Sequence, residues 1–326
     1  NLAPLKELYD EGLLALYQGV GYPNPNRSHF KSMDIWHTAN PEGDGQGTGW
    51  IGRYFDNTCE GEPEPNACVS IGDTAPLATQ GNKIQPIAFE NAKLFRWSGE
   101  DLHPDVAAAY QQINRRGVIE DETEEGTTAE FLMRTALDAQ LSSEKIRNAT
   151  AKQPEVRYPN SKLANSLKMV SQMIRAGLGT RVYYTDMGGF DTHAGQAWRH
   201  ANLLSQFAQA VNAFYRDLKS QGNEKRVMIM TFSEFGRRVK QNASAGTDHG
   251  TAAPMFMIGD MVEPGVHTPH PSLSKLDRNG DLVFNTDFRQ VYTSVINDWM
   301  GADAKAVLGK PFKPVRLVQP KMKAKV

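Results

Sequence analysis

Five residues in three separate stretches carry the chemistry this sequence offers most openly: Asp191 and His193 in "GGFDTHAGQ", Glu234 in "TFSEFGRR", and Asp248 and His249 in "GTDHGTA". Carboxylates mixed with imidazoles are the donor set that holds zinc, manganese or iron. Asp191 and His193 lie two apart, so on extended chain both side chains leave on one face and can share an ion. Asp248 and His249 are adjacent and ordinarily point apart, which lets them serve two ions or puts one of them behind the other's ligand. Each residue also has a plainer role: Asp191 as the cap of a helix opening near Ala194, Glu234 as the partner of Arg237 or Arg238, His249 as a hydrogen-bonded core histidine. Several strand ends carrying such residues together favour a metal site over these separate roles.

Ser28 is the candidate nucleophile. "GYPNPNR" ahead of it cannot be regular helix, and "HFKSMDIW" after it can, so the serine stands where a helix begins. A simple N-cap is the structural alternative. As a catalyst, its hydroxyl would lose its proton to a bound metal while the helix N-terminus favours an anionic group. Arg27 and His29 would then steady negative charge, and Arg27 or Arg237 would clamp the non-transferred oxygens of an ester.

The elements that must position these groups are legible as short apolar runs separated by long helical patterns. "LLALYQGV" (13–20), "RVYYTDM" (181–187), "RVMIMTF" (226–232) and "APMFMIG" (253–259) have strand length and end at glycine or polar residues. Apolar residues recur every three or four positions from Leu163 to Leu178 and from Leu203 to Leu218, and "NLAPLKELYDEG" reads as an amphipathic helix stopped by Gly12. Strands alternating with helices predict an α/β domain with a mostly parallel sheet and helices on both faces, where ligands sit beyond the carboxyl ends of the strands. One domain over 1–326 is expected, with an irregular cap at about 40–90 and a basic tail at about 310–326. "GTGWIG" (47–52) satisfies G-x-G-x-x-G, but no strand feeds it and no helical pattern opens from it, so it reads as a turn. The acidic "EDETEEG" (120–126) reads as a solvated loop.

Composition excludes several classes of protein. Lys plus Arg (36) nearly cancels Asp plus Glu (37), so no broad field advertises a nucleic acid or an anionic membrane. No apolar run reaches the length of a membrane span. Neither HExxH nor G-x-S-x-G occurs, which removes the usual zincin and hydrolase-elbow mechanisms. The two cysteines, Cys59 and Cys68, bracket an acidic, proline-rich loop and are expected to form a disulfide, and with it an exported protein.

In order along the chain, "GYPNPNRSHFKSMDIW", "GGFDTHAGQ", "TFSEFGRR" and "GTDHGTAAPMFMIG" resemble the family called domain of unknown function 1501. These are bacterial proteins exported by the twin-arginine route and grouped with the alkaline phosphatase and sulfatase superfamily. The resemblance implies an alkaline phosphatase-like fold and a periplasmic or cell-surface location. "MTFSEFG" is similar to the strand-then-"SDHG" signature of that superfamily, with Glu234 as counterpart of a ligand aspartate and Phe235 where a ligand histidine would stand. His249 corresponds to a later ligand histidine before a proline-led strand, "FDTH" to an aspartate and histidine pair, and Ser28 falls near the catalytic serine or threonine. The family's usual first strand, ending in a glycine-rich segment whose aspartate binds metal, would lie ahead of residue 1.

The function expected is an exported metal-dependent hydrolase of phosphate or sulfate esters, small or polysaccharide. One or two divalent ions, zinc first with manganese or calcium as alternatives, would be held by Asp191, His193, Glu234, Asp248 and His249. The alternative is a non-catalytic surface or periplasmic binding component with a degenerate site, which Phe235 favours. A metal-free serine hydrolase built on Ser28 and His29 ranks last, because adjacent residues rarely present nucleophile and base to each other. An oligomer is left open.

Overall fold

The computed structural model describes residues 1–42, 47–61, 64, 66–84, 86–97, 99, 103–119 and 128–319, so "EDETEEG" and the end of the basic tail lie outside the described residues. The elements in chain order are α1 (Ala3–Asp10), β1 (Leu14–Gly21), α2 (His29–Thr38), α3 (Trp50–Thr58), β2 (Cys68–Ile71), β3 (Ile87–Phe89), α4 (Pro104–Ile119), α5 (Thr128–Ala151), α6 (Lys162–Ala176), β4 (Val182–Thr185), α7 (Gln196–Ser220), β5 (Ile229–Met230), β6 (Arg237–Gln241), β7 (Thr247–His249), β8 (Ala253–Ile258), β9 (Gly265–Val266), β10 (Thr286–Asp287), α8 (Phe288–Ser294) and α9 (Ala304–Leu308). All four apolar runs picked out by length form strands.

The architecture is mixed α/β, and the pairing departs from a mostly parallel sheet. One sheet runs β10-β1-β8-β5 with β9 also on β1; a second runs β3-β2-β4; β6 and β7 form a two-stranded ribbon. β2 pairs in parallel with β3 and β4, and β1 with β9 and β10, but β8 is antiparallel to both β1 and β5. Strand-length apolar runs specify burial on two faces, not direction, which is why the sequence pattern misses the reversed β8.

Alternation along the strands shows how the sheets sit. Ala15, Tyr17, Cys68, Val182, Tyr184, Met228, Met230, Met255 and Met257 belong to one core, whereas Leu14, Leu16, Val69, Ile71, Tyr183, Ile229, Phe256 and Ile258 belong to the other. Successive strand residues leave on opposite faces, so the strands of both larger sheets form a layer with a core on either side. α2, α3, α8 and α9 line the first core; α1, α5, α6 and α7 line the second. The pattern at Leu163, Leu167, Val170 and Ile174 becomes the buried stripe of α6, begun by Ser161, whose side chain accepts from the Ala164 amide, and ended by Gly177 in the left-handed region.

Three expectations are corrected here. The stretch 40–90 is not an irregular cap: it contributes α3, β2 and β3, and β2 is the middle strand of its sheet. "GTGWIG" does open a helix, α3, and its last glycine serves packing, since a Cβ on Gly52 would lie 2.0 Å from the Gln80 carbonyl oxygen. Cys59 and Cys68 are both free: Cys59 ends α3, while the register of β2 against β4 holds Cys68 in the core, where burial pushes its thiol pKa up to about 12.

Candidate metal centre

The candidate residues come from four segments. His29 is the first residue of α2, Asp191 and His193 lie between β4 and α7, Glu234 follows β5, and Arg237, Asp248 and His249 belong to the β6–β7 ribbon. Packing of α2 sets the first and third. Trp36 is buried, stacked between Phe288 (4.3 Å) and Phe232 (5.5 Å), and its Nε1 donates to the Glu234 carbonyl at 2.9 Å. The buried Ser32 hydroxyl donates to the same carbonyl at 2.6 Å. One face of α2 thereby grips the chain at residue 234, and the helix start presents His29 beside it.

The ribbon is tied to the 191–195 loop in a similar way. Asn242 Nδ2 donates to the His193 carbonyl (3.0 Å) and to Asp248 Oδ1 (3.1 Å), while its Oδ1 accepts from the amides of Ser244 and Gly246. The amides of Gly195 and Gln196 donate to the carbonyls of Ser244 and Ala245. Gly246 permits this approach, because a Cβ there would lie 2.2 Å from the His193 carbonyl carbon.

Asp191 is the centre of the cluster. Its Oδ1 is 2.8 Å from His249 Nε2, 2.9 Å from His193 Nε2 and 3.0 Å from an Arg237 guanidinium nitrogen, and its Oδ2 is 3.3 Å from His29 Nε2. His193 Nε2 and His249 Nε2 are 2.9 Å apart. Donor atoms of His29, Asp191 and His249 all lie within 4.8 Å of one another, a spacing that one ion can bridge.

Behind the centre, each imidazole is held by its other nitrogen. His29 Nδ1 meets Glu234 Oε1 at 2.7 Å, His193 Nδ1 meets Asp248 Oδ1 at 3.3 Å, and His249 Nδ1 meets the Arg27 carbonyl at 2.7 Å. A carbonyl only accepts, so His249 carries its proton on Nδ1, and the Glu234 carboxylate imposes the same on His29. In the neutral rings the Nε2 lone pairs then face one another and a carboxylate oxygen. Positive charge, whether protons or a metal ion, must sit among them for the arrangement to be stable.

Burial opposes the charge of Asp191, but hydrogen bonds from His249, Arg237 and His29 outweigh it and hold this carboxyl well below the usual carboxylate range. For His29 burial likewise opposes the charged form, and the carboxylates of Glu234 and Asp191 overcome it, so its pKa is raised. The Asn242 amide, then His193, lowers the pKa of Asp248. The cluster is open to approach, with the side chains of His29, Asp191 and His193 at 41%, 45% and 44% exposure. The buried Phe235 ring forms one wall, stacked on His249 at 4.3 Å and 4.9 Å from His29.

The structure therefore brings Asp191, His193 and His249 together and redistributes the other candidates. Glu234, expected as a ligand, turns its carboxylate to the far nitrogen of His29; Asp248 does the same for His193. His29, expected to steady substrate charge, joins the group around the centre. Asp191 does not cap α7, whose N-cap is Gly195. Arg237 is engaged on Asp191 and Thr247, and Arg27 on Asp281, so neither stands as an open anion clamp. Ser28 is the exposed N-cap of α2, but its side chain makes no capping bond. No motif in the sequence marks Asn242, Thr247 or Asp281 as part of the site: Asp281 closes "DRNGD" (277–281), whose composition specifies a turn and nothing more.

Such a layered α/β chain with a histidine and carboxylate centre defines a class broadly. Residues 16–307 match the family described as Protein of unknown function (DUF1501), and the chain belongs to that family. No curated protein and no solved structure is similar to it.

Proposed function

We propose that this chain is an exported, metal-dependent hydrolase of phosphate or sulfate esters with an alkaline phosphatase-like arrangement. The observation that carries the reading is the convergence of three Nε2 atoms on Asp191, each ring fixed from behind by a carboxylate or carbonyl, which is how metal-ligating histidines are ordinarily held. Three imidazoles and one carboxylate suit zinc, and manganese next; calcium, which takes oxygen ligands, fits poorly. A divalent ion held by His29, Asp191, His193 and His249 would supply a Lewis acid for the ester oxygen and lower the pKa of a hydroxyl nucleophile.

The chain's own groups do the rest. Ser28, exposed and uncommitted as a cap, precedes His29 and offers its hydroxyl; its bond to phosphorus or sulfur forms as the ester bond breaks, its proton leaves with the departing alcohol, and water then releases the acid. The amides opening α2 favour the anionic group. Periplasmic or surface location stays part of the proposal through the family likeness; no helix among the described residues is long and apolar enough to cross a membrane. The test is stoichiometric zinc or manganese uptake by metal-stripped full-length protein, with chelator-sensitive cleavage of p-nitrophenyl phosphate or sulfate. Absence of metal uptake would rule the reading out.

A second reading, a non-catalytic binding protein, is favoured by Arg237, whose guanidinium already lies 3.0 Å from Asp191 Oδ1 and supplies positive charge to the cluster. On that reading His249→Ala and Glu234→Gln lower stability while no esterase activity exists to be lost.

A further inference from the structure

Arg27 is held at both ends. Its carbonyl accepts from His249 Nδ1 at 2.7 Å, and its guanidinium donates to Asp281 Oδ2 at 3.3 Å. The segment around it has no regular structure to fix that carbonyl: it contains Pro23 and Pro25, with Asn24 in the left-handed region at φ 53°. Asp281 also accepts from Arg238 Nε at 2.9 Å, and Arg238 donates again to the Asn279 carbonyl. Arg238 is the neighbour of Arg237, which holds Asp191. The hairpin carrying Asp281 is itself closed: Asp277 Oδ1 accepts the Asp281 amide at 2.8 Å, and the Asp277 amide donates to the Asp281 carbonyl at 2.9 Å. Thr251, two residues past His249, donates to the Leu282 carbonyl of the same hairpin.

Asp281 is fully buried although it touches none of the candidate ligands. A carboxylate removed from water is costly unless paired, and here both oxygens are paired with arginines from different segments. We infer that Asp281 is a positioning residue for the metal centre: through Arg27 it fixes the carbonyl that sets the His249 tautomer, and through Arg238 it holds the strand whose Arg237 orients Asp191. The inference rests on the metal reading above. It extends that reading to a hairpin well separated in sequence from every candidate ligand, and it assigns the "DRNGD" turn a task.

The experiment compares Asp281→Asn and Arg27→Gln with the wild-type chain. Arg27→Gln leaves Asp281 paired with Arg238 and so guards against simple misfolding; Arg216→Gln, at the remote Glu11 pair, is the control. Zinc affinity is measured by competition with a chromophoric chelator, and the His249 Nδ1 proton is followed by ¹⁵N-resolved NMR of the metal-free protein. Expected is a fall in zinc affinity of about 10- to 100-fold in both variants, loss or broadening of the Nδ1 proton signal, and no change in Arg216→Gln. Wild-type zinc affinity and an intact Nδ1 signal in both variants overturn the inference. If the wild-type chain takes up no zinc, the metal reading fails by itself, and the Nδ1 signal still decides whether Asp281 sets the His249 ring.

Discussion

Asp191 is the residue on which the centre turns, because three imidazoles and one guanidinium converge on its carboxylate. Asp191→Asn keeps the shape and removes the charge; zinc affinity is expected to fall by at least about 10-fold, as measured by chelator competition. The same substitution should lower the pKa of His29, since Asp191 is one of the carboxylates that raise it; an NMR titration of the His29 ring reads this directly. The sign of the pH dependence follows from the two shifts. His29, raised in the folded state, contributes stability that is fully present below its unfolded pKa of about 6.5 and is lost as pH rises through the folded value. Asp191, lowered, contributes stability above the ordinary aspartate range and loses it progressively as pH falls below that range toward the folded value. Metal uptake runs against the first of these, because a ligand imidazole must give up its Nε2 proton. Zinc affinity should therefore climb as pH rises through the raised His29 pKa, and a flat profile between pH 6 and 8 would contradict a ligand role for this ring.

At the scale of elements, α2 and the β6–β7 ribbon bring the pieces together. Trp36→Ala removes the stacked ring and the donor to the Glu234 carbonyl, and an unfolding loss of about 3–5 kcal/mol is expected from denaturant titration, with the His29–Glu234 contact loosened in the remaining folded protein. Gly246→Val tests the ribbon separately. Its side chain would begin 2.2 Å from the His193 backbone, so the 191–195 loop must move away, and zinc binding should weaken more than global stability. Equal losses of both would show that the loop and the rest of the fold move as one. Helices α6 and α7 could be read from periodicity because each has one apolar stripe. The short strands β6 and β7 could not, because "RRVKQ" and "TDH" have no buried face of their own and exist as strands only by pairing with each other.

For the molecule as a whole, a buried histidine outside the centre sets an acid limit. His37 is 7% exposed, its Nε2 is 3.1 Å from the Tyr184 hydroxyl, and burial pulls its pKa down to about 4. A group depressed in the folded state contributes stability above its unfolded pKa and loses it as pH falls toward the folded one. Between pH 7 and 5 the loss from His37 is about 2 kcal/mol, an order-of-magnitude figure from a shift of 6.5 to about 4. Urea titrations at the two pH values should show that difference shrinking in His37→Gln. What the linear sequence determined by itself was local: which runs are buried strands, which stripes are helices, and which polar residues follow them, since each depends on periodicity or composition within a few residues. It also carried enough ordered motif to place the chain in its family. The direction of β8, the strands inside 40–90, the free cysteines, the division of labour that makes His29 a neighbour of Asp191 and sends Glu234 behind it, and the reach of Asp281 were decided only by tertiary structure. The physical reason is that a ring nitrogen's role is set by whichever group stands across from it, and here that group comes from a separate segment, 55 positions away for His193 and Asp248 and 205 for His29 and Glu234.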